Sequence, residues 1–325
     1  MNSGNKFRTK LIITALTIVI VLIIITACSS KVTDDKTVPD TVKSNDTDVV
    51  LNIMVSDKTL ANLTKEIVKD RHFVDYMFQD RNSGLTFKFS DDSISNVSNE
   101  DLFIYFGASY EPWANSFTDK LSKSKVGIIN ASRGIKLNML SKEVKYGDIT
   151  VKENPYYFLN LDDYKIALSN IKNAVEDRDP KNRDIYEKNF DSAMKKIEPI
   201  QKSIKDLSDA SKNITILTCE DYMDYYLKYT SLKQIKADMT GSDKDQIISD
   251  PATLQKLDDS FKNNNKIIFL YADDNYLKAN EDIIKKYDMT TVKWNLQESS
   301  FNCLNLIKKN TEELKKAVDL IEPKQ

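Results

Sequence analysis

Histidine, cysteine and glycine, on which most catalytic and metal-binding motifs depend, are scarce in this sequence. The 325 residues include one histidine, three cysteines and seven glycines. The single histidine, His72, excludes zinc sites that need two or more imidazoles. No two glycines have the spacing of a dinucleotide-binding or Walker A loop. The sequence therefore favours a binding or interaction protein, and we expect no enzymatic activity.

Composition bears on the kind of partner and on the number of domains. The chain carries 47 Lys and Arg against 49 Asp and Glu, a formal net charge of -2. This balance gives no basic footprint, so we expect no nucleic-acid partner. Hydrophobic residues make up 41% of the chain, enough for a substantial core, and the length suggests about two domains.

The N-terminus carries the features of a bacterial lipoprotein signal. A short basic segment precedes an apolar run over residues 11–27, which ends at Ala27-Cys28. Small residues before a cysteine fit a lipoprotein signal peptidase, so residues 1–27 are predicted to be cleaved and Cys28 lipidated. The alternative is an uncleaved membrane anchor, and both place the protein outside the cytoplasm, attached to the membrane. Residues 28–48 are polar, and they are predicted to comprise the lipidated cysteine followed by a flexible tether.

Short apolar runs alternate with amphipathic stretches through the rest of the chain. This alternation predicts an N-terminal α/β lobe over 49–178, a linking helix over 179–208 and a C-terminal α/β lobe over 209–325. In the first lobe, strands are predicted at 49–55, 73–78, 85–89, 101–106 and 126–130, with a helix at 164–176. In the second, strands are predicted at 214–219, 232–237, 266–271 and 290–294, and helices at 222–229, 251–263, 277–287 and 301–320.

The linking helix has its own start signal. Asp179-Pro180 suggests an N-cap followed by proline at the first helical position, and Pro199 should kink or shorten the helix. The predicted fold is therefore two α/β lobes with mainly parallel sheets, joined by a long rigid helix, with a ligand cleft between the lobes.

Several segments resemble one family, the metal-type solute-binding lipoproteins of bacterial zinc and manganese ABC importers. Asp179, Pro180, Asn182, Tyr186 and Asn189 match the family element that begins its linking helix. Two further segments match, DLFIYFGASYEPW at 101–113 and LKQI at 232–235. The resemblance implies that a ligand binds between the two lobes and is delivered to a membrane permease. It also implies that the transported ligand is a divalent metal ion, with no other cofactor.

The metal ligands are where this sequence departs from the family. By the resemblance, the family's first two metal-binding histidines fall at Leu85 and Tyr156, and its third ligand at Cys219. The late acidic ligand has no clear counterpart near Tyr271. Cys219 is the one plausible retained ligand, and the metal site is interpreted as degenerate.

Further cleft candidates are the carboxylates of Glu111 and Glu220, which could contribute to a cation site. Tyr156 and Tyr157 either stack on an organic ligand or fill the space left by the histidines, and filling is favoured. His72 is interpreted as a surface or hydrogen-bonded residue. Cys219 and Cys303 are interpreted as separate cysteines, although a bridge between them fits the sequence too.

These observations define two functional hypotheses. The first is an extracytoplasmic substrate-binding lipoprotein of an ABC importer, lipid-anchored at the bacterial cell surface. The alternative is a surface adhesin or interaction lipoprotein on the same scaffold, without a transported ligand.

Overall fold

The computed structural model describes residues 48–237, 247–263, 266–297 and 299–322. The described residues form three sheets, two of four strands each and one of two strands. The predicted signal peptide, Cys28 and the tether up to residue 47 lie outside the described residues. Within the described part of the chain, no helix combines the length and the apolar character needed to cross a membrane.

The first lobe is built on a parallel sheet. Its strands are β1 (Asn52–Asp57), β2 (Phe73–Phe78), β3 (Leu102–Tyr105) and β4 (Gly127–Asn130), in the order β2-β1-β3-β4. Every neighbouring pair is parallel. The helices of this lobe are α1 (Lys58–Val68), α2 (Arg81–Gly84), α3 (Asp91–Ser98), α4 (Ala114–Leu121) and α5 (Leu161–Arg178). An antiparallel hairpin, β5 (Met139–Tyr146) and β6 (Ile149–Glu153), interrupts this βα alternation.

A long helix, α6 (Arg183–Ala210), leads from the first sheet to the second. The second sheet is again parallel, with β7 (Ile214–Thr218), β8 (Gln234–Lys236), β9 (Lys266–Tyr271) and β10 (Thr290–Lys293) in the order β10-β9-β7-β8. Its helices are α7 (Asp224–Thr230), α8 (Pro251–Lys262), α9 (Asp274–Ala279), α10 (Glu281–Lys286) and α11 (Cys303–Ile321). The predicted two-lobe α/β fold is confirmed.

One apolar core passes through both lobes and along the long helix. It includes Ile53 and Ile104 from the first sheet, Ile197 from α6, and Ile216 and Ile268 from the second sheet. One face of α6 packs against α1 and α5 of the first lobe and against α11 of the second. This burial favours a stiff connection, because any bending would expose apolar surface to water.

The start of the long helix differs from the prediction. Pro180–Asn182 form a 3₁₀ turn, and Asp179 makes no capping bond to the backbone there. Its carboxylate instead accepts hydrogen bonds from the side chains of Asn182 and Tyr186. Asp179 therefore holds the N-cap position of this turn, with Pro180 following it as predicted, but its carboxylate bonds side chains and does not cap the backbone.

Pro199 does not shorten the helix, which continues as α-helix for 28 residues, about 42 Å. Pro199 is exposed, so the carbonyl group that loses its helical donor faces water. The flanking Ile197 and Ile200 are buried, and their packing holds the helix on both sides of the proline.

Three other local predictions also differ from the structure. Residues 85–89 form no strand: Leu85 ends α2 and the following residues are irregular, with Phe87 and Phe89 packed against aromatic side chains. The predicted helix over 277–287 is broken at Asn280 into α9 and α10. The hairpin of β5 and β6 was not predicted, although the two-residue Gly147-Asp148 turn between alternating segments is a hairpin signal.

Candidate functional site

The site begins at the carboxyl end of β2. Asp80 accepts a hydrogen bond from the Ser83 amide (2.8 Å), and the Ser83 hydroxyl closes a reciprocal capping box. This cap starts α2 directly after the strand, so Arg81, the first residue of the helix, lies at the edge of the sheet where parallel strands end. Ligands of open α/β sheets collect at that edge.

Arg81 is enclosed by three tyrosines. Its Nε donates a hydrogen bond to the Tyr110 carbonyl oxygen (2.9 Å). The guanidinium carbon lies 5.3 Å from the ring centre of Tyr110, 5.7 Å from that of Tyr146 and 5.8 Å from that of Tyr156. These are cation–π distances, and such contacts strengthen when the cation is partly desolvated. Burial opposes the charge, but the oxygens of Tyr156 and Tyr146 hold the pKa of Arg81 above its ordinary value.

Tyr110 is positioned by two buried acids. The carboxylate of Glu111 accepts hydrogen bonds from the amides of Phe106 (2.9 Å) and Gly107 (3.1 Å) and from the Ser56 hydroxyl. The Tyr110 hydroxyl donates to Asp57 (2.8 Å). These bonds fix the loop after β3. They therefore also fix the Tyr110 carbonyl group, which accepts the hydrogen bond from Arg81 Nε.

Gly107 is required by this loop. Its φ is +74°, and a Cβ atom there would lie 2.0 Å from the Asn130 side-chain oxygen. Any larger residue would therefore displace the loop that presents Tyr110.

The other two tyrosines come from the hairpin and the segment after it. Tyr146 is the last residue of β5, and Tyr156 precedes a buried 3₁₀ turn at Tyr157–Leu159. The Tyr156 ring packs edge-on against Tyr222 of the second lobe, with ring centres 5.1 Å apart. The hairpin is tied to the same lobe by the Ser141 amide, which donates to Asp221 (2.8 Å).

A cavity of about 80 Å³ lies beside Arg81, between the lobes. The side chains that line it come from both lobes: Thr59, Asp80, Arg81, Asn82, Tyr110, Tyr156, Phe158, Leu296, Gln297, Phe301, Asn302, Cys303 and Leu306. Asn82 and Gln297 are exposed, so the cavity can be reached from solvent. The amino end of α11 contributes Asn302 and Cys303 to its wall.

Of the sequence-predicted cleft residues in the first lobe, Tyr156 lines this cavity and contacts Arg81. Tyr157 does not: it is fully buried and donates to the Phe106 carbonyl (3.0 Å), so it fills space. Leu85 is half-buried and is not part of the cavity wall. Glu111 borders a separate, smaller cavity of about 10 Å³ and bonds the β3 loop.

The predicted residues of the second lobe lie together at the carboxyl ends of β7 and β9. Cys219 packs against the apolar cluster that contains Tyr271, and burial raises the pKa of its thiol to about 12. Glu220 is buried and accepts the Ala272 amide (2.6 Å); burial raises its pKa to about 7. Burial raises the pKa of Tyr222, and Tyr156 and Glu220 raise it further. Tyr222 therefore lies between Glu220 and the tyrosines around Arg81. Cys219 and Cys303 are not bridged to each other.

Burial also dominates the electrostatics near Tyr110. It raises the pKa of Glu111 to about 7 and that of Asp57 to about 6, against the hydrogen bonds that each carboxylate accepts. Over residues 48–237, 247–263, 266–297 and 299–322, no three His, Cys, Asp or Glu side chains form a group that could hold a metal ion.

His72 is hydrogen-bonded, as the sequence indicated, and is buried. Its Nδ1 accepts the Leu51 amide (3.2 Å), and its Nε2 lies 2.7 Å from the Tyr186 hydroxyl. It therefore belongs to the start of the linking helix and not to the cavity.

Sequence reasoning missed Arg81, Tyr110, Tyr146 and Tyr222. One signal was present: Asp80-Arg81 directly follows a predicted strand, where a cleft-facing side chain is expected in a parallel α/β lobe. The tyrosine contacts carried no signal of their own, because they join segments distant in the chain.

Two parallel α/β lobes, a long connecting helix and a cavity between the lobes define a two-lobed solute-binding protein. The family described as ZnuA, zinc-uptake complex component A periplasmic, matches residues 53–317, and the chain belongs to that family. It is a family of solute-binding proteins and not of enzymes, which agrees with the sequence-based expectation.

Individual relatives are distant. A metal ABC transporter substrate-binding lipoprotein of Lactococcus lactis is 25% identical over 189 residues, 57% of this chain and 56% of the relative. The match thus spans little more than half of that relative's length. The solved structure of the metal-dependent lipoprotein YcdH from Bacillus subtilis has a TM-score of 0.64 at 21% identity, covering 82% of this chain and 98% of that one. The laminin-binding adhesin Lmb from Streptococcus agalactiae has a TM-score of 0.60 at 23% identity, covering 82% and 99%.

Proposed function

We propose that this protein is the lipid-anchored, extracytoplasmic substrate-binding component of an ABC importer. We propose further that its cleft does not hold zinc or manganese in the manner of its relatives. The observation that carries the second part is the guanidinium of Arg81 beside Tyr156, the position that by resemblance corresponds to a metal-binding histidine. Residues 49–178 and 209–325 would form the two lobes, with 179–208 as their linker.

A fixed positive charge in the cleft opposes a divalent cation. At a separation of about 5 Å and an effective dielectric constant of ~20, a charge of +2 is repelled by a guanidinium by about 7 kcal/mol. That energy corresponds to roughly five orders of magnitude in affinity. The nearby tyrosines are neutral at pH 7, since burial raises the pKa of Tyr156 above its ordinary value and that of Tyr222 to about 12. Neutral phenols are poor zinc ligands, so they do not offset the repulsion.

Calorimetry on metal-stripped protein tests this part of the proposal. We expect Zn²⁺ and Mn²⁺ to bind more weakly than about 1 μM, equivalent to roughly -8 kcal/mol. The Cys219→Ser variant is the matched control, because Cys219 is the predicted retained ligand. Wild-type binding tighter than this limit, lost in Cys219→Ser, would restore a metal site in the cleft.

The importer assignment is tested separately. Chemical cross-linking on membranes of the native host, followed by purification through a C-terminal tag, should recover a membrane permease and its ATPase. Recovery of extracellular-matrix proteins without a permease would favour the adhesin alternative. The similarity in fold to the adhesin Lmb is the reason for testing that alternative.

A further inference from the structure

We infer that the cavity beside Arg81 binds a small organic carboxylate, with the carboxylate group on the guanidinium and the apolar part among the aromatic rings. This inference rests on the proposed function, because it names the class of ligand for the same cleft. It depends on three features of the cavity: the charge of Arg81, the surroundings of that charge, and the size and lining of the space.

The contacts of the Arg81 guanidinium described above are with a backbone carbonyl and with tyrosines, whereas Asp57, Asp80 and Glu111 lie with Arg81 around the smaller cavity. A partly buried guanidinium with neutral partners gains most from an anion, and its planar fork matches a carboxylate in a bidentate geometry. Arg81 is half-buried and forms part of the cavity wall.

Other groups around the cavity favour negative charge. The wall includes Asn302 and Cys303, at the amino end of the 19-residue helix α11, where the helix dipole attracts anions. Lys58 Nζ lies 4.7 Å from the centre of the Phe301 ring, which lines the same cavity. Asp80 is the one carboxylate in the wall; the Ser83 hydroxyl and amide lower its pKa and keep it charged, so an anion must bind on the side of the cavity away from Asp80.

The size and lining of the cavity select the rest of the ligand. One water needs roughly 10–15 Å³ of such volume, and a cavity of about 150 Å³ holds benzene. A cavity of about 80 Å³ therefore suits a molecule of roughly three to six non-hydrogen atoms. Phe158, Phe301, Leu296 and Leu306 supply apolar surface for a short carbon chain. A short-chain monocarboxylate combines both properties.

The test measures binding of sodium butyrate to the purified protein without its signal sequence, by calorimetry and ligand-observed NMR. Butan-1-ol and butylamine are matched probes that keep the chain but remove or reverse the charge, and sodium phosphate and chloride supply inorganic anions. We expect butyrate to bind and the neutral and cationic analogues to fail. Binding of phosphate or chloride without butyrate, or equal binding of butan-1-ol, overturns the inference.

Two variants locate the site, and a third is the control. Arg81→Gln should weaken butyrate binding at least about tenfold, the loss expected for one charge-assisted pair. Thr59→Phe should block the cavity while leaving Arg81 and its tyrosines in place, so it decides the matter if Arg81→Gln does not fold. Arg133→Gln removes an exposed arginine elsewhere in the first lobe and should bind butyrate as the wild type does. Unchanged binding in Thr59→Phe would refute the assignment.

The two proposals fail in different ways. If no carboxylate binds but a permease is recovered and zinc binds weakly, the ligand class is wrong and the importer component stands. If zinc binds tightly and depends on Cys219, the proposed arrangement of the cleft itself is wrong.

Discussion

Replacing Tyr186 with phenylalanine tests how the linking helix is fastened to the first lobe. Tyr186 is fully buried, and its hydroxyl donates to the Asp179 carboxylate (2.5 Å). Since the Leu51 amide donates to His72 Nδ1, the neutral imidazole carries its proton on Nε2 and donates it to the Tyr186 oxygen. The variant Tyr186→Phe removes both bonds and changes nothing else in shape.

The loss in free energy of unfolding depends on the two hydrogen bonds removed and on the buried groups that lose their partner. A hydrogen bond to a charged group contributes about 1.5–3 kcal/mol, and a buried donor without a partner costs about 1–3 kcal/mol. The Asp179 carboxylate retains Asn182 and Arg71, which limits the loss on that side. We therefore expect Tyr186→Phe to lower the free energy of unfolding by about 3–4 kcal/mol.

Tyr226→Phe is the matched control. Tyr226 is equally buried, but its hydroxyl meets only the Thr311 hydroxyl (2.8 Å), a neutral group. That loss should be about 1 kcal/mol. Urea unfolding at pH 7, followed by circular dichroism with the denaturant slope checked for both variants, gives the comparison. If Tyr186→Phe costs no more than Tyr226→Phe, the charged network at the start of the helix does not stabilise the fold as argued.

Two further predictions concern the anchor and the pH dependence of stability. Cys28→Ala should abolish lipid attachment, so the variant would differ from wild type in mass and in membrane partition; identical behaviour would refute the lipoprotein signal. Burial raises the pKa of Glu111 to about 7, so its stabilising contribution is complete below pH ~4.5 and is lost as pH rises through about 7. Glu220 shifts in the same direction. Glu111 by itself should therefore lower the free energy of unfolding by about 2–3 kcal/mol between pH 5 and 8, and Glu220 should add a similar amount, so the slope in Glu111→Gln should be about half as steep; a rise over that range would contradict the burial argument.

The family-matching element at the start of the linking helix shows which details a resemblance supplies and which it leaves open. Asp179, Asn182, Tyr186 and Asn189 could be picked out from the sequence, but not their partners. In the structure, the Asn189 side chain donates to the Ile67 carbonyl (2.7 Å). The Asp179 carboxylate accepts hydrogen bonds from Asn182, Tyr186 and Arg71. The matching residues thus act as a fastening between helix and lobe.

Local pattern by itself determined the strands and most helices. The predicted runs 73–78 and 266–271 match β2 and β9 at both ends. For the central strand β9 the reason is burial on both faces, which needs a continuous apolar run, whereas β2 lies at the edge of its sheet and exposes Phe73. The same reasoning failed at 85–89, where aromatic residues serve as packing against neighbouring rings and not as a ladder.

The composition of the cleft was decided only by tertiary structure. The resemblance predicted that the family's histidines are replaced, and it predicted Tyr156 at the cleft, where Tyr156 lines the cavity. It did not place Arg81 there, because that depends on a capping box at Asp80, on the loop fixed by Glu111, and on a hairpin that brings Tyr146 across. The capping box and the bonds of Glu111 to the loop amides are local, but the contacts of Arg81 with Tyr110, Tyr146 and Tyr156 join residues far apart in the chain. No local periodicity records which distant groups will surround a charge once the lobes are packed.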